Sequence, residues 1–439
     1  HYEHYLPIPE KEWLLIHRLF FLSVQNKIAG FITADNIHFL GRKRSIANLY
    51  NLSLLLGCGR LNHLTPAQIR AAGKSLQDWC TLISISRQPS STSDNQLVVD
   101  ITSGSAPHFK KLFTSSANSV SCYLQVDKLI DTLDRLLPDE KSGDSKPAAA
   151  SFGLEESTLD KNLIVHLRSA WSEYIYREIR EETEEPLMVC TGFYNVHYHL
   201  CGGKTLKDFI GEKVSLSILY EEDEDIATIE KQRSTDVWSA FTTIPDGDLV
   251  FGEIPAEFNF QHFFPFNAEQ ADNDAFPETR VVMTDRSTKG CCLQWPQNTT
   301  DNIEVGELIG LRKDNKHHLQ IGEIAWKDLQ EDGRFRTGIH ILSSKAIPIA
   351  VDVPLSAGSN QNFAEAILLP AEEALGTQCT SFLSRPDYYK KGNYLSISQK
   401  GIEEKVHLSE TVTDNAYFAR FDCGFILKKP VIGIDRSTR

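Results

Sequence analysis

Val281-Val-Met-Thr-Asp285-Arg-Ser287-Thr-Lys-Gly290-Cys-Cys-Leu293 joins two apolar runs through a short polar middle. Asp and Ser side chains bond backbone groups two residues on, and Gly takes a positive φ without a Cβ penalty. Asp285, Ser287 and Gly290 in that order therefore suit a tight connection between strands. Outward from it, residues 279–283 and 290–295 read as the flanking strands, followed by 303–311, 318–326 and 335–342. Short strands at this spacing, separated by Gly and Asp turns, indicate an antiparallel barrel. The string Asp-Arg-Ser-Thr returns at 435–438 with no strand beside it, so the letters alone carry little. The flanking strands and Gly290 give the internal copy its weight.

The chain bounds what surrounds that barrel. Its 439 residues exceed one ordinary core and predict two or three domains. A net charge of −14 argues against a dedicated nucleic-acid or anionic-membrane binder, so an anionic ligand needs a local basic pocket on an acidic background. Nine cysteines without a C-x-x-C pair suggest reduced thiols of a cytoplasmic protein. No run approaches the ~18 apolar residues of a membrane span, and no signal peptide is visible. Opening on His1 rather than methionine leaves room for a natural start, and a targeting signal, upstream.

The first third predicts helices. Pro9 suits a first helical turn, with Trp13, Ile16, His17 and Phe20 following at helical spacing. Residues 46–56 form a second apolar run. Thr65-Pro66-Ala67-Gln68 combines a capping Thr, Pro at the first position and Gln three after the cap. These helices are expected to pack on one another, with His17 a satisfied core or boundary histidine. Residues 97–101 suggest a short strand, and Leu129, Ile130, Leu133 and Leu136 the inward face of another helix. Residues 139–151, rich in Lys, Ser, Asp, Pro and Ala, read as a linker. A long amphipathic helix is expected from Thr158 to about Glu182, closed by Pro186. Residues 187–200 and 212–220 then read as strands, and a Phe- and Pro-rich insertion follows, including Phe258 to Phe266. A second β-rich unit is expected from the runs 366–370, 379–383, 393–397, 404–408 and 416–427.

The D-x-S-x-x-G pattern of Asp285, Ser287 and Gly290 resembles the second signature of PilZ domains, small β-barrels that in many bacteria bind cyclic di-GMP. Gly338-Ile-His-Ile-Leu342 resembles the closing strand of that family. Gly306 to Arg312 and Gly322 to Trp326 resemble a larger proteobacterial group in which a helical region precedes the barrel and a second β domain follows. The resemblance implies an α+β multidomain chain. Its parts are a helical N-terminal domain (1–137), a linker (138–153), a connecting helix (154–185), a PilZ-like barrel (186–351) with an insertion at about 221–278, a second β-barrel-like domain (352–430) and a tail (431–439).

The other PilZ signature, R-x-x-x-R, precedes the first strand, where paired guanidinium donors suit guanine edges and phosphates. Here Arg177 and Arg180 stand one residue closer, in Tyr176-Arg-Glu-Ile-Arg180-Glu-Glu-Thr-Glu-Glu185. On a persisting helix they would share one face among glutamates. Two readings stay open. In one, Arg177, Arg180, Asp285, Ser287 and Gly290 hold cyclic di-GMP, and a non-enzymatic effector relays the signal to a protein partner. In the other, the barrel is an adaptor that binds no nucleotide.

His197, His199 and Cys201 alternate on what should be one strand, a spacing compatible with a metal, but no fourth ligand is evident. The His317-His318 turn is expected to be exposed. No P-loop, G-x-S-x-G elbow, H-E-x-x-H helix or dinucleotide fingerprint is present, so neither an enzyme nor a bound cofactor is expected.

Overall fold

Thr65 caps its helix as its spacing predicts: its Oγ1 accepts from Gln68 N, and Gln68 Oε1 reaches back to Thr65 N at 3.0 Å. The structure is a computed structural model. It describes residues 1–33, 44–89, 95–112, 120–137, 160–175, 178–210, 248–251, 275–297, 299, 303–313, 318–353, 362–399 and 402–427. The chain divides into two compact units, His1–Glu178 with Lys327–Gly333, and Ile179–Trp326 with Arg334–Arg439.

The first unit contains α1 (Glu10–Gln25), β1 (Ile32–Thr33), β2 (Arg44–Ser45), α2 (Ile46–Cys58) and α3 (Pro66–Trp79). It continues with β3 (Ser84–Ser86), β4 (Leu97–Asp100), β5 (His108–Phe109), β6 (Ser121–Gln125), α4 (Asp127–Leu136) and α5 (Lys161–Ser172). Trp171 on α5 is fully buried and its Nε1 donates to Leu55 O on α2 at 3.2 Å. His17 is the satisfied core histidine expected, bonded through Nδ1 to Tyr50 Oη at 2.8 Å and through Nε2 to Ser105 O at 3.0 Å. The helices do not stand alone, because β3-β6-β4-β5 form an antiparallel sheet. Only β4 was legible. All four of its residues are buried, so it shows no alternation. Strands β3 and β5 are too short for a period to register, whereas β6 alternates in burial over five residues that sequence reading left unassigned.

The expected helix from 158 to 182 ends at Ser172. Beyond Trp171 the apolar stripe thins out: Tyr174 still packs edge-on against Phe109, but Ile175 is 55 % and Ile179 97 % exposed. The glutamates that follow pair across a sheet instead, and tertiary pairing overrides their helical propensity. The linker at 139–151, the run 212–220, residues 258–266 and the tail lie outside the described residues.

The second unit begins with β7 (Glu181–Thr191), α6 (Phe193–Leu200), α7 (Leu206–Ile210) and β8 (Asp248–Phe251). Next come β9 (Thr279–Arg286), β10 (Gly290–Gln294), β11 (Leu308–Lys313), β12 (Gln320–Leu329, whose last three residues count with the first unit) and β13 (Phe335–Ser343). The six described strands β10-β13-β12-β11-β7-β9 close into an antiparallel barrel. Pro186 lies inside β7 rather than closing a helix. The expected strand over 187–200 stops at Thr191, because Gly192 at φ +88° turns the chain into α6. Phe193, Val196 and His197 are buried on α6 at i, i+3 and i+4, a helical period that aromatic and β-branched composition hid.

The chain continues with β14 (Ile347–Val353), β15 (Asn362–Leu369), β16 (Ser381–Ser384), β17 (Tyr394–Gln399), β18 (Ile402–Asp414) and β19 (Ala419–Leu427). They pair in the order β16-β15-β14-β17-β18-β19, and β19 returns to β16, giving a second closed ring. The expected end of the first barrel at 351 falls inside residues 347–353, which form the first strand of the second. Beyond β16, the free edge of β19 pairs with β8, with Gly424 opposite Phe251. Between the barrels, Phe193 and Val196 of α6, Leu342 of β13, and Ile367, Leu383 and Phe418 share one buried apolar cluster.

Candidate functional site

The β9–β10 connection is the tight turn its residues predict. Ser287 N donates to Gly290 O at 2.7 Å, and its Oγ donates to the same oxygen at 3.3 Å. Gly290 is required by close approach rather than by its φ: a Cβ there would sit 2.5 Å from Ile339 O on β13. Asp285 pairs with Cys292 on one side and Glu182 on the other.

Arg180 comes to this turn. Its Nη1 donates to Asp285 Oδ1 at 2.6 Å, so two residues 105 apart in sequence, one from each suspected signature, are in contact. Arg180 precedes β7 in non-helical backbone, which removes the shared helix face expected for it and Arg177. Arg177 itself lies outside the described residues. The pair is partly exposed, with side chains at 32 % and 27 %, and such pairs contribute about 0–1 kcal/mol. Arg180 can therefore exchange Asp285 for another anion at little cost.

Beside the turn the barrel mouth opens into a cavity of about 460 Å³, within the range of ligand pockets. Its floor is apolar, with Leu187, Met283, Leu311 and Ile341. The far end of the barrel is plugged by Trp295, which stacks on Phe335 and donates from Nε1 to Thr337 Oγ1 at 2.9 Å. Ser287 and Gly290 wall the cavity, whereas Arg180 and Asp285 are not among its lining residues. His318, expected to be exposed, is half-buried in its wall. The Cys291 thiol also lines it, pushed up to about 12 first by burial and further by Cys292 and Asp285, so it stays protonated and unreactive at neutral pH.

Three further cations ring the mouth, and each meets a carboxylate. Arg286 donates from Nη2 to Glu181 Oε2 at 2.8 Å and from Nε at 3.0 Å. Lys313 Nζ lies 2.5 Å from Glu185 Oε1. Arg312 makes a two-pronged, well-buried pair with Glu278, at 2.7 and 2.5 Å. Two of the glutamates that looked like a helix face, Glu181 and Glu185, are thus counterions of the cavity's cations. Sequence reading passed over Arg286, Arg312 and Lys313. Arg312-Lys313 closing an apolar strand run was the available signal. Glu372, Ala374 and Leu375, which also line the cavity, gave none.

His197, His199 and Cys201 do not form the strand-borne set considered for a metal. His197 is buried, with its Nε2 on Ile349 O at 3.1 Å, and burial pulls its pKa down to about 4. Cys201 Sγ stacks one turn on, 3.6 Å from His197 Nδ1, while His199 Nε2 meets Phe276 O at 3.2 Å. Among the described residues no cluster of three or more His, Cys, Asp or Glu is placed to hold a metal. Among them too, no helix is long and apolar enough to cross a membrane.

The chain was compared with known proteins. A family described as the cyclic-di-GMP receptor FimW, middle PilZ domain, matches residues 96–348. The corresponding N-terminal domain family matches residues 1–90. The cyclic-di-GMP receptor FimW of Pseudomonas aeruginosa (strain PAO1) is 23 % identical over 425 residues, spanning 95 % of this chain and 68 % of that protein. No solved structure matches.

Proposed function

The chain belongs to the FimW middle PilZ-domain family, and from that premise we propose that it is a non-enzymatic receptor for cyclic di-GMP that acts in bacterial signalling through a protein partner. The observation that carries the reading is the contact between Arg180 and Asp285 beside a cation-ringed cavity walled by Ser287 and Gly290. Arg180, with Arg177 before it in sequence, supplies guanidinium donors to phosphate or guanine. Ser287 and Asp285 supply turn hydrogen bonds, and Gly290 lets the strands close behind them. Arg286 and Lys313 offer further charge, held meanwhile by the exposed Glu181 and the half-buried Glu185, which a dianionic ligand can displace.

Titration calorimetry with cyclic di-GMP, with GTP as control, tests this. Micromolar binding specific to the cyclic dinucleotide, of order −8 kcal/mol, is expected. Arg180→Ala should lose at least about tenfold in affinity while Tm stays within error. Full affinity in that variant would sink the proposed site, and no heat with the parent protein would sink the reading.

One observation favours a second reading. The mouth cations Arg180, Arg286, Arg312 and Lys313 all meet acids of this same chain. A self-neutralised mouth suits an adaptor that binds no nucleotide, and a silent titration would select it.

A further inference from the structure

The middle-domain match ends at residue 348, but the cavity does not end with it: Glu372, Ala374 and Leu375, between β15 and β16 of the C-terminal barrel, form part of its wall. They are held rigidly. The Glu372 carboxylate, on a residue only 7 % exposed, accepts from Ser343 Oγ at 2.5 Å and Ser344 N at 2.8 Å through one oxygen, and from Ser344 Oγ through the other. Ser343 ends β13 and Ser344 follows it, two and three residues past Ile341 of the cavity floor. The short 3₁₀ turn Glu373–Leu375 is closed by Leu375 N on Glu372 O at 3.0 Å and Gly376 N on Glu373 O at 2.9 Å. Glu372 N donates to Thr377 Oγ1 at 2.7 Å. From the other side Lys289 of the signature turn reaches Gly376, its Nζ 3.6 Å from where a Cβ would stand, while Lys289 O accepts from Ile341 N at 2.9 Å. The signature turn, the end of β13 and this loop are therefore tied into one frame around the cavity.

We propose that the loop from Glu372 to Gly376 is a ligand-contacting wall, with Ala374 and Leu375 receiving the apolar face of a purine base and Glu372 fixing their position. This rests on the cyclic-dinucleotide reading and deepens it. A cyclic dinucleotide is anionic at its phosphates and flat and apolar over its bases. The cavity has the same division: Arg286, Arg312 and Lys313 come from the first barrel, and a small apolar wall comes from the second. Affinity for such a ligand needs both surfaces at once. The C-terminal barrel is then part of the receptor, not an appended output module.

Calorimetry with cyclic di-GMP on the full chain tests the wall, using Leu375→Trp and Ala374→Leu to intrude on it. Glu373→Gln, on a residue that does not line the cavity, serves as the control. The two intruding variants should each bind at least about tenfold more weakly with Tm unchanged, and the control should match the parent. If Leu375→Trp lowers Tm, the smaller Ala374→Leu carries the test. Parent-like affinity in the intruding variants, with the parent binding well, overturns the wall and leaves the receptor reading intact. A parent that does not bind overturns the receptor reading, and the wall falls with it.

Discussion

The two barrels of the second unit close in the same way, each with six strands, but they fill themselves differently. The C-terminal barrel is packed with aromatic and branched side chains: Phe382, Phe421 and Phe425 are at most 2 % exposed, and Ile349, Ile397 and Leu408 lie beside them in one cluster. The first barrel is plugged only at its Trp295 end, and its other end keeps a cavity ringed by ion pairs. Closure pairs the strands of both, and in the second β8 covers the stretch of β19 that β16 leaves free. What separates a scaffold from a site is the space left at one mouth and the charge set around it.

The sharpest way to break that contrast is Phe421→Ala. It should cost about 3–5 kcal/mol in chemical denaturation, because a filled core collapses poorly around a lost ring. A loss under about 1 kcal/mol would mean that the second barrel is no better filled than the first. Next in size is Arg312→Ala, which leaves Glu278 buried at 8 % side-chain exposure beside His199. An unpaired buried charge should lower stability by about 3 kcal/mol, measured in the same way.

The seam between the barrels offers a smaller, pH-dependent effect. Glu323 on β12 is pushed up to about 7 by burial, against the pull of Arg420, and accepts from Asn415 Nδ2 of the second barrel at 3.5 Å. A carboxyl raised in the folded state binds its proton more tightly there than in the unfolded chain. Its stabilising contribution is complete below the ordinary carboxylate range and is lost as pH rises through about 7. Between pH 5 and pH 8 the parent should lose about 1–3 kcal/mol relative to Glu323→Gln. Parallel denaturation profiles for the two proteins would remove Glu323 from the seam's energetics. Smallest of all is Arg286→Ala at the exposed rim. No change in Tm is expected, since Glu181 stays solvated without its partner. A measurable drop would mean that the rim pairs are structural, against the reading that a ligand displaces them.

Much of the fold was written locally. The Thr65/Gln68 capping box, the Asp285–Gly290 turn and the strand rhythm after it depend on neighbours within a few residues, so the sequence carries them openly. The rest depended on partners far along the chain. Glu181 and Glu185 look helical until β9 and β11 supply Arg286 and Lys313. Residues 193–200 look like a strand until Gly192 turns them. The site divides along the same line. Asp285, Ser287 and Gly290 were legible as a turn and Arg180 as a candidate, while the cations opposite and the wall near Leu375 exist only through tertiary contact.

One pairing has a bearing on how the molecule is made. The strand β8 belongs, by position, to the insertion of the first barrel, yet its partner is β19, the last described strand of the chain. During synthesis from the N-terminus, β8 emerges long before the residues that complete it. It waits with an unpaired edge while the rest of the first barrel, β9 to β13, and most of the second are made. Contacts of such sequence separation slow folding and lengthen exposure to wrong partners. The same interleaving makes the two barrels poor candidates for exchange as cassettes between relatives, because cutting between them strands β8 from its mate.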